Sequence, residues 1–384
     1  MMTGDFPLDV FQTLRTPFYY YDLQLLNQTL QEIHATKGDF EVHYALKANS
    51  NLRILETIAK SGFGADCVSG GEIQIALKTG FAPEKIVYAG VGKTDWEIEL
   101  ALNENIFCFN VESIPELHVI DELAGKLRKH ARVCLRLNPN VDAQTHHYIT
   151  TGLNENKFGI NLSELHHVLN VLKTLSNVEL IGLHFHIGSQ ILDMNVFENL
   201  AKRINEIQNS FSMLNEVNSQ FSILNCGGGL GINYEHPNHI PIADFKMYFE
   251  TFRKHLEIRK NQKVHFELGR SVVGPCGSLI TRVLYVKKGS QKQFAIVDAG
   301  MSDLLRPALY SANHRIENLT SHEPEEIYDV VGPICESADV FSTEYQMNQA
   351  QRNDMIALRS AGAYGEVMAS TYNQRELPKA IFSH

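Results

Sequence analysis

No run of apolar residues in this 384-residue chain approaches the ~20 that a membrane-spanning helix needs. The start, Met1-Met2-Thr3-Gly4-Asp5-Phe6-Pro7, lacks the basic residues and long apolar stretch of a secretory leader, so the expected location is the cytoplasm. Excess positive charge is missing as well. Lys and Arg number 34 against 44 Asp and Glu, a formal charge of -10, which gives no reason to expect nucleic acid or an anionic membrane surface as a partner. Paired cysteines are absent too, for the six are scattered with no C-x-x-C spacing. Cys67, Cys108, Cys134 and Cys226 sit in apolar strand-like runs and are expected to be reduced and buried, whereas Cys335 falls in a polar, turn-rich stretch. Repeats, low-complexity segments and a long linker are also lacking. What remains is an ordinary globular composition, 44% hydrophobic and 20% charged.

Short runs rich in β-branched and aromatic residues recur near 41–46, 64–68, 86–90, 106–110, 131–137, 179–186, 221–225 and 263–268. Amphipathic stretches separate several of them, for example Leu52, Ile54, Leu55 and Ile58 on one helical face. Eight strands alternating with helices predict an α/β fold, a (β/α)8 barrel of the kind that takes ~250 residues, with an open doubly wound sheet as the alternative. Beyond about residue 275 the texture becomes β-rich, with strands expected at 279–286, 294–298, 327–331 and 355–359. The Pro17–Tyr21 run is expected to join them, and Asp22 to cap a helix that buries Leu25, Leu26, Leu30 and Ile33. The expected division is therefore a barrel over residues 22–270 and a mainly β, Greek-key or sandwich-like domain from residues 1–21 and 271–384.

In such a barrel the C-terminal ends of all strands meet on one face, where active sites form. Lys47, Asp66, Ser69, Arg136, Asn138, His186, Ser189, Gly227 to Gly229, Glu267 and Arg270 all fall at strand ends. Six strands thus contribute polar residues to one rim, more than satisfied loop residues would explain. Two nucleotide motifs fail: the glycine that a P-loop needs five residues before Gly92 is Val87, and the last glycine of a G-x-G-x-x-G starting at Gly227 is Ile232. His184 and His186 share a strand face, but no third ligand has convincing spacing, so no metal is expected. One is expected to pack in the barrel and the other to serve the site. A lysine amine, a glycine loop open to a phosphate, a flat imidazole and a carboxylate beside an arginine together match the needs of pyridoxal 5'-phosphate, with Glu267 as the partner of the ring nitrogen.

The motifs Tyr44-Ala45-Leu46-Lys47-Ala48-Asn49, Val68-Ser69-Gly70-Gly71-Glu72, His184-Phe185-His186-Ile187-Gly188-Ser189-Gln190, Cys226 to Gly231, Glu267-Leu268-Gly269-Arg270, Cys335 to Asp339 and Gly362-Ala363-Tyr364-Gly365 run through nearly the whole chain. In this order they closely resemble the fold-type III pyridoxal phosphate decarboxylases, and within them the diaminopimelate decarboxylases. The resemblance implies decarboxylation of meso-2,6-diaminopimelate to L-lysine, the last step of lysine biosynthesis, by a homodimer with shared active sites. It makes Lys47 the Schiff-base lysine and His186 the residue stacked on the cofactor, both catalytic together with Cys335. Asp66, Arg136, Ser189, Gly227, Gly228, Gly229, Glu267, Gly269, Arg270 and Tyr364 would complete the cofactor site. Cys335 and Glu336 would come from the partner subunit, Cys335 as proton donor.

Relatives in that family also act on ornithine, arginine and carboxynorspermidine, so the substrate needs its own evidence. Arg306 can fork onto a carboxylate and Tyr310 can add a hydrogen bond, which suits a distal carboxylate, with Arg270, Glu336 and Tyr364 as further substrate contacts. Where ornithine-type relatives carry an acidic residue after the tyrosine, this chain has Ser311. A loop over 140–158 is expected to cross the site. The end at Ile381-Phe382-Ser383-His384 falls sooner than in many relatives.

Overall fold

The computed structural model describes residues 6–141, 157–213 and 221–383. Sixteen strands are found among them. β1 (Phe18–Tyr21) is followed by β2 (Glu41–Ala45), β3 (Gly64–Cys67), β4 (Ile86–Tyr88), β5 (Cys108–Val111), β6 (Ala131–Arg136), β7 (Val178–His184), β8 (Ile223–Asn225) and β9 (Lys263–Leu268). After these come β10 (Gly277–Lys288), β11 (Gln293–Val297), β12 (Ile316–Asn318), β13 (Glu325–Val331), β14 (Val340–Asn348), β15 (Met355–Leu358) and β16 (Lys379–Phe382).

The chain divides into two compact units. One comprises Leu30–Gly231 and Asp244–Gly269, in which β2 to β9 close into a barrel in sequence order, every neighbour parallel. All eight expected barrel strands are present. Inside the barrel Val87, Cys108, Cys134 and Ile223 form an apolar floor. The buried polar residues Asn110, Arg136 and Asn225 stand two positions beyond Cys108, Cys134 and Ile223, and so on the same face of their strands and nearer the C-terminal ends. The helices between strands form where local chemistry asks for them. Asn51 accepts the Arg53 N–H to cap Leu52–Lys60, whose Ile54, Leu55 and Ile58 are buried, and Ser69 caps Gly70–Lys78 through the Glu72 N–H.

The other unit comprises the residues up to Thr29, Ile232–Ala243 and the chain from Arg270 onward. Its strands run in the order β12, β15, β10, β11, β13, β14, with β1 antiparallel to β10 and parallel to β16. Phe11, Phe18, Tyr20, Ile280, Met355 and Ala357 form one of its cores. Asp22 accepts the Leu25 N–H at 3.0 Å, as its place before the Leu23–Lys37 helix predicts. Residues 232–243 fall inside the range expected for the barrel domain, yet they pack in this unit. No helix among the described residues is long and apolar enough to cross a membrane. The Thr150-Thr151-Gly152 stretch of the expected crossing loop lies outside the described residues.

Candidate active site

Lys47 stands in a single 3-10 turn, Leu46–Ala48, that leaves the end of β2. Tyr44 secures this turn by donating to the Asn49 carbonyl at 2.8 Å, and Gly269 lets β9 press against it, since a Cβ there would lie 3.1 Å from Ala48 Cβ and 3.2 Å from Ala45 Cβ. Ala45 pairs with Asp66 across β2 and β3, and this register brings the Lys47 ammonium to 3.1 Å from Asp66 Oδ2. Asp66 is fully buried. Burial first and the nearby Glu267 charge next push its carboxyl up to about 6, against the pull of Lys47.

Glu267 is the hub of the barrel's polar layer. His184 donates from Nε2 to Oε2 at 3.0 Å, while Asn110 and Asn225 both donate to Oε1, at 3.0 and 2.7 Å. Burial alone would raise this carboxyl, but His184 and the Lys47 cation outweigh it and hold Glu267 well below the ordinary carboxylate range. A buried anion with three donors is fully ionised. None of Asn110, His184 and Asn225 is expected from the motifs as a partner of Glu267. Their signal in the sequence is a polar residue at an otherwise apolar strand position, as in Phe109-Asn110-Val111 and Ile223-Leu224-Asn225.

Asn225 does a second task. Its Oδ1 accepts the Gly227 N–H at 2.9 Å, tying the glycine loop to the carboxylate that its Nδ2 holds. Gly227 has φ +69°, a Cβ there would come 2.2 Å from the Phe185 carbonyl oxygen, and one on Gly228 would come 1.9 Å from the Glu267 carbonyl oxygen. Gly228 N–H donates to His186 Nδ1 at 3.3 Å. Burial, then the Lys47 and Arg136 cations, push His186 well below its ordinary value, so its ring is neutral. Ser189 follows at the same strand end and is partly buried. Arg136 donates to Glu112 Oε1 at 2.7 Å in a pair buried on both sides. Glu112 is a partner that the motifs do not single out, and its Oε2 also accepts the Gly159 N–H at 2.8 Å.

The second unit gathers Arg270, Arg306 and Tyr364 around Tyr234. Arg270 donates to the Tyr234 hydroxyl at 2.7 Å and lies over the Tyr364 ring at 4.9 Å, while Arg306 lies 4.9 Å over the ring of Tyr234. Arg306 opens the short helix Arg306–Tyr310, with Pro307 in its first turn and Ser311 ending it in the left-handed conformation. Cys335 and Glu336 are exposed, Cys335 being the sole exposed cysteine, and Glu336 Oε1 accepts from the Tyr372 hydroxyl at 2.6 Å.

Several buried atoms of the barrel's polar layer have no hydrogen-bond partner among the described residues: Asp66 Oδ1, Asn110 Oδ1 and His184 Nδ1. Such atoms call for a polar guest, since a buried polar group without a partner costs about 1–3 kcal/mol. With the Lys47 amine, an ionised Glu267, a neutral imidazole and a loop whose backbone admits no side chain, the residues fit pyridoxal 5'-phosphate. These features define a barrel-type pyridoxal phosphate enzyme.

The sequence model of the family described as "Pyridoxal-dependent decarboxylase, pyridoxal binding domain" matches residues 23–274. Diaminopimelate decarboxylase of Bacteroides thetaiotaomicron is 58% identical over 100% of this chain and 99% of its own. Among solved structures, diaminopimelate decarboxylase from Helicobacter pylori complexed with L-lysine superposes with a TM-score of 0.90 at 42% identity, covering 97% of this chain and 93% of that one. The enzyme from M. jannaschii, also with L-lysine, gives a TM-score of 0.89 at 32% identity, covering 99% and 90%. The chain belongs to the diaminopimelate decarboxylase family of pyridoxal-dependent decarboxylases.

Proposed function

We propose that this enzyme removes one carboxylate of meso-2,6-diaminopimelate, releasing carbon dioxide and L-lysine. One observation carries the choice of substrate. Arg306 is 5% exposed, and no carboxylate among the described residues lies within ion-pair distance of it. A buried guanidinium whose contacts are the neutral His314 and the Tyr234 ring, with the Arg270 cation near it, is a charge without an anion, which an anionic group of the substrate would neutralise. A distal carboxylate supplies that anion, whereas ornithine and the other diamine-type substrates do not.

Bound pyridoxal phosphate supplies a ring that accepts the electron pair left when the bond from Cα to the carboxylate breaks. Lys47 would hold it covalently through Nζ, and the Gly227 to Gly229 backbone, Ser189, Arg270 and Tyr364 would hold or flank its phosphate. Glu267, kept anionic by His184, Asn110 and Asn225, would hold a proton at the ring nitrogen. His186 offers a flat, neutral face, Asp66 keeps the Lys47 side chain in place, and Arg136 is fixed by Glu112. Arg306 and Tyr310 would bind the distal carboxylate, and Glu336 the distal ammonium. Cys335 donates a proton to Cα after carbon dioxide has left.

The exposure of Cys335 and Glu336 supports a homodimer in which each subunit lends this pair to its partner. The absence of paired cysteines favours a cytoplasmic setting. The decisive experiment measures carbon dioxide release from diaminopimelate, ornithine, arginine and carboxynorspermidine. Preference for diaminopimelate is expected, and preference for any of the other three would overturn the proposal. Lys47→Ala should also lose the visible absorbance band of the loaded enzyme.

A further inference from the structure

Arg306 is oriented by a residue that carries no compensating charge. Its Nη1 lies 2.9 Å from His314 Nε2, and His314 Nδ1 lies 2.8 Å from the carbonyl oxygen of Arg359. A carbonyl only accepts and a guanidinium only donates, so the two contacts require one tautomer: Nδ1 carries the proton and Nε2 presents its lone pair. The imidazole is therefore neutral. Burial first, then the Arg306 charge, push its pKa down to about 3, which agrees with the geometry. On its other side the guanidinium rests on the Tyr234 ring, which stands edge-on to His314 at 5.1 Å and 81°.

We propose that His314 is a specificity-determining positioning residue, which fixes the Arg306 guanidinium with a neutral acceptor and so leaves its charge for the distal carboxylate of the substrate. A carboxylate at position 314 would hold the arginine equally well but would neutralise it from within. This inference rests on the assignment of Arg306 to the distal carboxylate.

The test is a series on the loaded enzyme: His314→Gln, His314→Leu, His314→Glu and Arg306→Gln. A glutamine oxygen can take the place of Nε2 as a neutral acceptor, so His314→Gln should keep KM for diaminopimelate within about threefold. Loss of one hydrogen bond to a charged group corresponds to roughly 10-fold or more, so His314→Leu should raise KM about that much with kcat largely kept. His314→Glu should raise KM about 100-fold or more and narrow the preference for diaminopimelate over ornithine, with the visible band retained. The inference is overturned if the glutamate variant keeps a wild-type KM, or if glutamine and leucine variants are equally impaired. Should the leucine variant not fold, the glutamine and glutamate pair carries the comparison. An unchanged KM in Arg306→Gln would sink the substrate assignment itself, whereas a raised KM there with no effect across the His314 series would sink this inference alone.

Discussion

His184 Nε2 lies 3.0 Å from Glu267 Oε2, and both side chains are sealed inside the barrel. The strand register makes this meeting unavoidable: Arg136, His184 and Asn225 are successive partners across β6, β7 and β8, and Glu267 stands on the next strand, two residues beyond the partner of Asn225. A carboxylate held from three sides keeps its charge where an isolated buried one would take up a proton.

Asn225 joins this carboxylate to the glycine loop. Asn225→Ala removes one donor from Glu267 and the acceptor of the Gly227 N–H together. Hydrogen bonds to charged groups contribute about 1.5–3 kcal/mol, so kcat should fall roughly 10- to 100-fold. Steady-state kinetics and the visible spectrum check it, and KM for diaminopimelate should change far less than kcat.

Asp66 sets a pH dependence in the cofactor-free protein. Its folded pKa of about 6 lies above the usual unfolded value near 4, so between these limits the native state binds a proton that the unfolded state releases. Its contribution to stability is therefore full below about pH 4 and lost as pH rises through about 6. Asp66→Asn should flatten the curve across that window by up to ~1.4 kcal/mol per pH unit. Urea denaturation from pH 4 to 7 tests this, and an unchanged slope would contradict the assignment.

Much of the barrel is legible in the sequence because most of its strands are short β-branched or aromatic runs closed by a polar residue, as in Val42 to Lys47 or Val264 to Glu267. The same grammar finds β1, β10, β11, β13 and β15 of the second unit but misses β12, β14 and β16. β14 reads Val-Phe-Ser-Thr-Glu-Tyr-Gln-Met-Asn with only Phe341 and Met347 buried, because it is an edge strand with little core to contribute to, and so carries a weak apolar signal. β12 (Ile-Glu-Asn) and β16 (Lys-Ala-Ile-Phe) are short and each carries a charged residue, so neither stands out as an apolar run. Lys47, His186 and Glu267 are legible because chemistry requires those residue types. Tyr234 and His314 are not, since they lie in irregular segments far apart in the chain and act only through the arginines they touch.

Asp339 governs the loop that carries Cys335 and Glu336. Its Oδ2 accepts the Ile334 N–H and its Oδ1 the Met301 N–H, each at 2.6 Å, and Gly300 and Gly332 leave the space it occupies. Asp339→Ala would strand both N–H groups, at about 1–3 kcal/mol for each buried one. The variant should unfold several degrees lower. In the wild type, iodoacetamide should label Cys335 alone, because the other five cysteines are buried. Labelling should slow at concentrations where sedimentation shows a dimer, and a rate independent of assembly would argue against the shared site.

Two glycines give opposite expectations from one substitution. Gly228→Ala would drive a Cβ to 1.9 Å from the Glu267 carbonyl oxygen, a backbone atom that can move only if the end of β9 moves with it. That end carries the carboxylate, so the expected result is loss of the visible band and a cost of several kcal/mol, at or above the ~1–3 kcal/mol typical of overpacking. Gly71 lies exposed in the first turn of Gly70–Lys78, where an added Cβ meets only Ser69 Oγ at 3.8 Å. There Ala replaces the most flexible residue in a helix without a clash, and stability should rise by ~0.5–1 kcal/mol. Thermal denaturation and absorbance of the two purified variants measure both effects. If Gly228→Ala keeps the band and the wild-type Tm, the glycine loop is not pinned against β9 as the structure places it.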